Sequence, residues 1–291
     1  MTTLGMVGLG RMGGNMTRRL RDRGIEVVAY DRDADLAEVA DLDTLVEALP
    51  TPRLVWLMLP AGAPTDDTIA TLVPLLDRGD TVVDGGNANW RVTVARARRL
   101  AAEDIALVDV GVSGGVWGYD EGYALMVGGD HDAVARLQPV FDALRPSEGG
   151  FSHAGPVGSG HFAKMIHNGV EYGMMQAFAE GVELLDAGGP DGMDVAAVLR
   201  GWQHGSVVRS WLLDLLVDAM EDEDTFAQIR GWAEDSGEGR WTVEEAIATA
   251  TPAPVITAAL YARFASRQDD PLAMRVVAAL RQRFGGHAVR S

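Results

Sequence analysis

Along the first half of the chain, short apolar runs alternate with longer stretches that carry an apolar face at helical spacing. The run from Leu4 to Leu9 enters Gly8-x-Gly10-x-x-Gly13, and NMTRRLRDRG follows with a helical pattern closed by Gly24. A strand over Glu26 to Tyr30 and a helical stretch over Leu36 to Leu49 come next. The strand Leu54 to Leu59 empties into Pro60-Ala61-Gly62, the helix Thr65 to Leu76 leads to the strand Thr81 to Asp84, and Gly85-Gly86-Asn87 precedes a helix over Trp90 to Ala102. Ala106 to Val110 then reads as a strand running into a loop, Gly111 to Gly115, too glycine-rich for bulk packing. Tyr123 to Val127 reads as a strand, His131 to Leu144 as a helix, and Phe151 to His153 leads to a glycine-rich entry at 155–160. Alternating β and α with glycine at the strand exits predicts a doubly wound, parallel, Rossmann-type sheet with ligands at the strand ends.

Beyond that entry the pattern is helical only. One long helix is expected from Ser159 to about Ala187, stopped by Gly188-Gly189-Pro190. Shorter ones are expected over Met193 to Trp202, Ser206 to Met220, Glu223 to Glu234, Thr242 to Thr249, Ala253 to Ala265 and Pro271 to Phe284. The expectation is α/β: a dinucleotide-binding domain at 1–157, and an all-α substrate and oligomerisation domain at 158–291 entered through a long interdomain helix. The length of 291 residues, beyond a usual single core, agrees with two domains. Trp202, Trp211, Trp232 and Trp241 read as core and interface.

Composition narrows the function. A net charge of −17 argues against nucleic acid and anionic membrane as partners, because both need a positive face. No basic leader with an apolar core and no run of about 18 apolar residues is seen, so the expected location is the cytoplasm. Zero Cys excludes disulfides, thiolate nucleophiles and Cys-ligated zinc. No metal is expected. The acidic balance suits a salt-rich cytoplasm, and a GC-rich genome explains the Lys:Arg ratio equally well.

The glycine turn has a physical reading. Gly8 permits the tight turn, Gly10 lets the backbone approach a pyrophosphate, and Gly13 allows helix and strand to pack closely, with Arg11 and Met12 between them. The helix N-terminus offers unpaired N–H groups to phosphates. Asp31, at the end of the second strand, stands where a dinucleotide fold places the acid that binds the adenosine ribose. A carboxylate there repels a 2′-phosphate, which favours NAD, while Arg32 beside it could stack on adenine or accept that phosphate, keeping NADP open. Leu59, Pro60, Ala61 and Asn87, at two strand exits, are candidates for the nicotinamide side, and Ser113, Gly114 and Gly115 could hold a carboxylate on backbone amides.

The long helix carries Lys164, His167, Asn168 and Glu171 at i, i+3, i+4 and i+7, one stripe over two turns of an otherwise largely apolar helix. Lys164 is the only lysine, every other one of the 25 Lys+Arg positions being arginine. A guanidinium cannot give up its proton in a protein, whereas an ammonium beside apolar walls can be lowered toward neutrality and act as a base. The stripe therefore reads as a proton-transfer site facing a polar cleft rather than as a solvated face.

GLGRMGGNM, MLPAG, DGGN, GVSGG, GSGHFAKMIHNGVEYGMMQ, VVRSWL, SGEGRWT, ARFASR and RQRFGGHAV together resemble 6-phosphogluconate dehydrogenase (decarboxylating) in its short bacterial form, within the β-hydroxyacid dehydrogenase superfamily. The resemblance runs over nearly the whole chain. It implies oxidative decarboxylation of 6-phosphogluconate, a phosphorylated sugar acid, to ribulose 5-phosphate and CO2 in the pentose phosphate pathway and gluconate utilisation. Lys164 would take the 3-hydroxyl proton and Glu171 would protonate C1 of the enediol. Ser113, Gly114, Gly115, His167 and Asn168 match positions for the carboxylate and hydroxyls, and Tyr172 and Arg209 match the phosphate end. Arg281 and His287 match residues supplied across a dimer interface, implying a homodimer or homotetramer.

Two departures stand out. Where the long form has a lysine and a hydroxyl near the phosphate, SGEGRWT offers Ser236 and Glu238, and Glu238 would repel a phosphate if it pointed inward unless Arg240 compensates. Two other readings remain: a β-hydroxyacid dehydrogenase that oxidises without losing CO2, and a cofactor-sensing module without turnover. His131, His153, His161 and His204 show no ligand spacing and read as surface or satisfied core residues. Arg96, Arg98 and Arg99 read as a solvated helix face.

Overall fold

The computed structural model describes residues 2–285 and 288. It holds two compact units, residues 1–167 and 168–291 by their internal contacts. In the first, seven strands, β1 (Thr3–Val7), β2 (Glu26–Tyr30), β3 (Leu54–Leu57), β4 (Thr81–Asp84), β5 (Ala106–Ser113), β6 (Ala124–Gly128) and β7 (Phe151–Gly155), form one sheet in the order β2-β1-β3-β4-β5-β6-β7. Helices α1 (Arg11–Asp22), α2 (Leu42–Glu47), α3 (Ala63–Leu72) and α4 (Trp90–Ala101) connect the early strands, α5 (Gly118–Glu121) precedes β6, and α6 (His131–Arg136) and α7 (Gln138–Leu144) precede β7.

Every residue of β3 and β4 is buried, as a sheet covered on both faces requires. The alternation of side chains splits the core in two. Leu4, Met6, Trp56 and Val108 belong to one cluster, and Val7, Val55, Leu57 and Leu107 belong to the other. On the first side, the buried Arg19 of α1 donates to the carbonyls of Ala143, Leu144 and Arg145 at the end of α7 and of Tyr119 and Asp120 in α5. It thereby satisfies carbonyls that a helix C-terminus leaves without partners.

The sheet is not wholly parallel. β6 runs antiparallel to β5, with Gly111 opposite Met126 and Ser113 opposite Ala124. The connection 114–123 is shorter than the dozen or so residues that a parallel crossover needs. Because that pairing continues through Gly111, Val112 and Ser113, these residues are strand and not loop, which corrects the expected loop at Gly111. Among the helices, α2 is shorter than the stretch expected over Leu36 to Leu49. The helix expected over His131 to Leu144 breaks at Leu137, after which Pro139 lies in the first turn of α7.

The second unit is helical, as the pattern predicts. Helix α8 (Ser159–Gly188) begins in the first unit and is continuous over 30 residues. It is followed by α9 (Val195–Trp202), α10 (Trp211–Glu221), α11 (Glu223–Gln228), α12 (Glu238–Ala248), α13 (Pro254–Ala265) and α14 (Leu272–Gly285). Helix α10 starts at Trp211 because Ser210 caps it, its hydroxyl accepting from the Leu213 amide at 3.2 Å. Helix α12 starts four residues earlier than expected, after Gly237 at φ +97°. Among the described residues no helix is long and apolar enough to cross a membrane. Trp211 and Trp232 are about half exposed and thus not core.

Candidate active site

The glycine turn divides its labour by geometry. A Cβ at Gly13 would lie 1.9 Å from the Gly8 carbonyl oxygen, and one at Gly8, whose φ is +97°, would lie 2.4 Å from that of Met58. Both are glycine because backbone occupies the space. A Cβ at Gly10 would meet nothing within 4 Å, so the turn presents bare backbone to open space beside the N-terminus of α1, which begins at Arg11. That is a cradle suited to a pyrophosphate. Arg11 is exposed, and Met12 packs on the core below. Asp31 follows β2, where Oδ2 accepts from the Leu9 amide at 2.6 Å and Oδ1 from the Asp33 amide at 2.9 Å, tying the acid to the turn. Arg32 is exposed.

The two strand exits also meet. A Cβ at Gly86 would sit 2.4 Å from the Leu59 carbonyl oxygen, so the β4 exit lies flush on the β3 exit. Pro60, Ala61 and Asn87 are exposed there, and Leu59 is partly buried. Beneath them Arg96 is buried, not solvated as its arginine-rich run suggested. Its guanidinium binds Asp84 at 2.9 Å and Asp66 at 2.8 Å, joining β4, α3 and α4. The Arg96 hydrogen bond holds the Asp66 carboxyl below its ordinary range. Arg98 and Arg99 are exposed, as expected.

Helix α8 is seated on the sheet by Asp109, a fully buried residue of β5. Its carboxylate accepts from the Gly158 amide at 2.6 Å and the His161 amide at 2.8 Å, an anion at a helix N-terminus. Gly160 then lies flush on the strands, since a Cβ there would be 2.5 Å from the carbonyl oxygens of both Asp109 and Met126. One turn on, a Cβ at Gly111 would fall 2.3 Å from the Cβ of Lys164, so the lysine stem crosses the bare backbone of β5. Lys164 is 8% exposed. At the end of β5 the Ser113 hydroxyl lies 3.4 Å from His167 Nε2, bringing two predicted residues together, and Gly114 and Gly115 follow at φ +137° and +53°. His161 is a core histidine, its Nδ1 2.7 Å from the Thr93 hydroxyl.

In the second unit, Asn168 donates through Nδ2 to Glu238 Oε1 at 3.0 Å, both residues being buried. Glu171 is partly buried. Tyr172 is buried, its hydroxyl accepting from the Ser236 amide at 3.1 Å, and the Arg263 guanidinium stacks 3.5 Å from its ring centroid. Arg240 does not compensate Glu238. It binds Asp235 at 2.6 and 3.1 Å, and Arg267 binds the same carboxylate at 2.6 Å. These hydrogen bonds, Arg240's foremost, push the Asp235 pKa down to about 2. Arg209 precedes α10 and Arg281 lies on α14, both exposed, while the hydrogen bonds described for Tyr172, Ser236 and Glu238 go to other residues. His287 lies outside the described residues. Sequence reasoning missed Asp109, Arg263 and the pairing of Glu238 with Asn168.

A glycine-turn dinucleotide domain followed by a helical domain, with lysine, histidine, asparagine and glutamate along the joining helix, defines a nicotinamide-dependent dehydrogenase class. Residues 3–147 match the model of the NAD binding domain of 6-phosphogluconate dehydrogenase, and residues 160–289 match that of the 6-phosphogluconate dehydrogenase C-terminal domain. The NAD(+)-dependent, decarboxylating 6-phosphogluconate dehydrogenase of Haloferax volcanii is 43% identical over 98% of both chains. The decarboxylating 6-phosphogluconate dehydrogenase of Lactococcus lactis is 34% identical over 91% of this chain, which spans 61% of that longer protein. The Plasmodium falciparum 6-phosphogluconate dehydrogenase structure superposes with a TM-score of 0.85 at 25% identity, covering 99% of this chain and 66% of that one. A 3-hydroxyisobutyrate dehydrogenase from Mycobacterium tuberculosis shares the fold, with a TM-score of 0.74 at 23% identity over 97% and 99% of the two chains. The chain belongs to the 6-phosphogluconate dehydrogenase family.

Proposed function

We infer that the chain is a 6-phosphogluconate dehydrogenase that oxidises C3 of 6-phosphogluconate, releases C1 as CO2 and yields ribulose 5-phosphate, with NAD as the favoured acceptor. The observation that carries the chemistry is the single lysine, buried and laid over Gly111 of β5. The glycine turn, open at Gly10 and walled by backbone at Gly8 and Gly13, fits a dinucleotide. When bound, its nicotinamide accepts the hydride from C3. The Lys164 amine takes the 3-hydroxyl proton as the ketone forms. The electron pair of the C1–C2 bond then moves toward C3 and its oxygen, CO2 departs, and the Lys164 ammonium returns its proton to that oxygen to give the enediol. Glu171, seven residues along α8 and hence about 10 Å by helical rise, protonates the carbon that lost CO2 while the Lys164 amine takes back the enediol O–H proton, leaving the ketone of ribulose 5-phosphate. Ser113, Gly114, Gly115, His167 and Asn168 orient the carboxylate and hydroxyls.

The preference for NAD rests on Asp31, held at the turn with its charge where a 2′-phosphate would sit. At the phosphate end, Tyr172 and its stacked Arg263 join Arg209 as candidates. Leu272, Met274, Leu280 and Phe284 are exposed along α14 beside Arg281, which supports assembly of copies of this chain. The test is incubation with 6-phosphogluconate and each nicotinamide cofactor, following reduced cofactor and CO2 together. Equal yields of both are expected. Reduction without CO2 would leave a plain β-hydroxyacid dehydrogenase, and binding of cofactor without reduction would leave a sensor.

A further inference from the structure

Glu238 is the first residue of α12 and only 2% exposed. Its Oε1 accepts from Asn168 Nδ2 at 3.0 Å, while Oε2 is buried with no hydrogen-bond partner among the described residues. A carboxylate in that condition needs a donor, because ionised oxygens only accept. The nearby cation does not answer it, since Arg240 is bound to Asp235. The side chain is also held in place. A Cβ at Gly239 would strike the Tyr172 ring at 2.4 Å, one at Gly169 would strike Thr242 at 2.8 Å, and the Thr242 hydroxyl donates to the Glu238 carbonyl at 2.8 Å. Helices α8 and α12 therefore meet in one register, and Glu238 has little freedom to turn elsewhere.

We propose that Glu238 is a specificity-determining residue: Oε1 fixes the Asn168 carboxamide, and Oε2 accepts a hydrogen bond from a hydroxyl of the substrate's carbon chain. This rests on Asn168 belonging to the substrate site of the reaction inferred above. The Oε2 atom presents an acceptor to a donor-rich ligand. A polyol chain supplies O–H donors at each carbon. A phosphate ester at neutral pH supplies negative charge and acceptors, so the same carboxylate keeps the phosphate away from this corner. Glu238 thus selects a polyhydroxy acid with a free hydroxyl here, and it fixes which end of the substrate lies along α12.

The experiment measures kcat/KM with NAD for 6-phosphogluconate and for analogues lacking the hydroxyl at C2, C4 or C5 in turn, using the wild-type chain, Glu238→Ala and the near-isosteric Glu238→Gln. In the wild type, removal of one of these hydroxyls is expected to lower kcat/KM at least tenfold, since a site built to pair a hydroxyl rejects the analogue lacking it. In both variants that penalty should shrink to within about twofold, with NAD affinity unchanged, as a double-mutant cycle requires of directly coupled groups. If Glu238→Ala melts or misfolds, Glu238→Gln carries the comparison. A Glu238→Gln chain with the wild-type penalty at all three positions overturns the assignment while leaving the reaction intact. A wild-type chain that does not turn over 6-phosphogluconate with either cofactor overturns the reaction itself, and this assignment with it.

Discussion

Replacing Gly111 by alanine tests whether the seat of α8 on β5 sets the chemistry. The added methyl would lie 2.3 Å from Lys164 Cβ and 2.9 Å from the Gly160 carbonyl oxygen. Carbon atoms rest at about 3.5–4.0 Å, so strand and helix must part by roughly 1 Å or more. The Gly160 contact resists the obvious slide, because that residue is itself flush against Asp109 and Met126. Overpacking of this kind costs about 1–3 kcal/mol of stability. A displacement near 1 Å of a group that must meet a reacting proton costs on the order of 10² in rate. Gly111→Ala is therefore expected to lower the unfolding midpoint and cut kcat about a hundredfold. Affinity for the dinucleotide should hold, because the Gly8 to Gly13 turn is elsewhere on the sheet. Thermal unfolding, titration of NAD and steady-state kinetics read the three quantities separately. A variant with wild-type kcat would mean that Lys164 does not need its place on β5, and the reasoning would fail.

Lys164→Arg should keep NAD affinity and lose about 10² to 10⁴ in turnover, the range for lost acid–base catalysis, because arginine holds its proton. Near-normal kcat would remove Lys164 as the base. Asp31→Ser should shift the ratio of kcat/KM toward NADP, and an unchanged ratio would mean that the acid does not govern the ribose. Asp235→Asn bears on pH. Its folded pKa of about 2 lies below the ordinary carboxylate value, so its stabilisation is complete above about pH 4 and disappears as pH falls toward 2. At about 1.4 kcal/mol per unit the shift sets an upper bound near ~2.5 kcal/mol, and because the Arg240 side chain is 51% exposed, about 1–2 kcal/mol is expected at pH 7. Urea unfolding should show a gap between wild type and Asp235→Asn at pH 7 that narrows at pH 3, whereas a constant gap would mean that the carboxylate's charge is not its contribution. Arg263→Met should raise the KM for 6-phosphogluconate about tenfold or more with kcat little changed, and an unchanged KM would leave the phosphate to another cation.

The glycine turn, the alternation of strands and helices and the long helix that carries Lys164 were legible because each rests on local rules: glycine where backbone crowds, short apolar runs for strands buried on both faces, helical spacing without proline. Asp109 was not legible. An acid near the middle of an apolar strand looks like a flaw until the α8 N-terminus arrives to fill its two oxygens, and that meeting is tertiary. Gly111 reads as loop because the run to Gly115 is too glycine-rich for bulk packing, yet its missing side chain is what admits the Lys164 stem while β6 pairs the backbone beside it. Arg96 carries a signal in its spacing. Thr93, Arg96 and Leu100 share the buried face of α4, and a charge on an apolar stripe calls for a partner, here Asp84 and Asp66. Glu238 was singled out as a charge in the wrong place for a phosphate. Its pairing with Asn168 could not be read from spacing, since 70 residues separate them.

The distribution of charge in the second unit explains how a chain of net charge −17 can hold an anionic sugar acid. Attraction at that distance from neutrality cannot come from the protein's overall field, which repels the substrate. It must come from cations that no carboxylate neutralises. Arg240 and Arg267 do not qualify, because both are bound to Asp235. Arg263 differs. Its described hydrogen bonds go to the Glu234 carbonyl and the Met175 sulfur, and its plane lies on Tyr172, so among the described residues its charge meets dipoles and a ring face rather than a carboxylate. A guanidinium so placed is oriented by its neighbours yet keeps its field. With Glu238 disfavouring negative charge at one end of this cluster and Arg263 drawing it at the other, the two act together only on a ligand that is a neutral polyol chain near Glu238 and an anion near Tyr172. On the assignments proposed above, a phosphorylated sugar acid meets that condition in one orientation, and polarity along the ligand, rather than total charge, is what this part of the site would select.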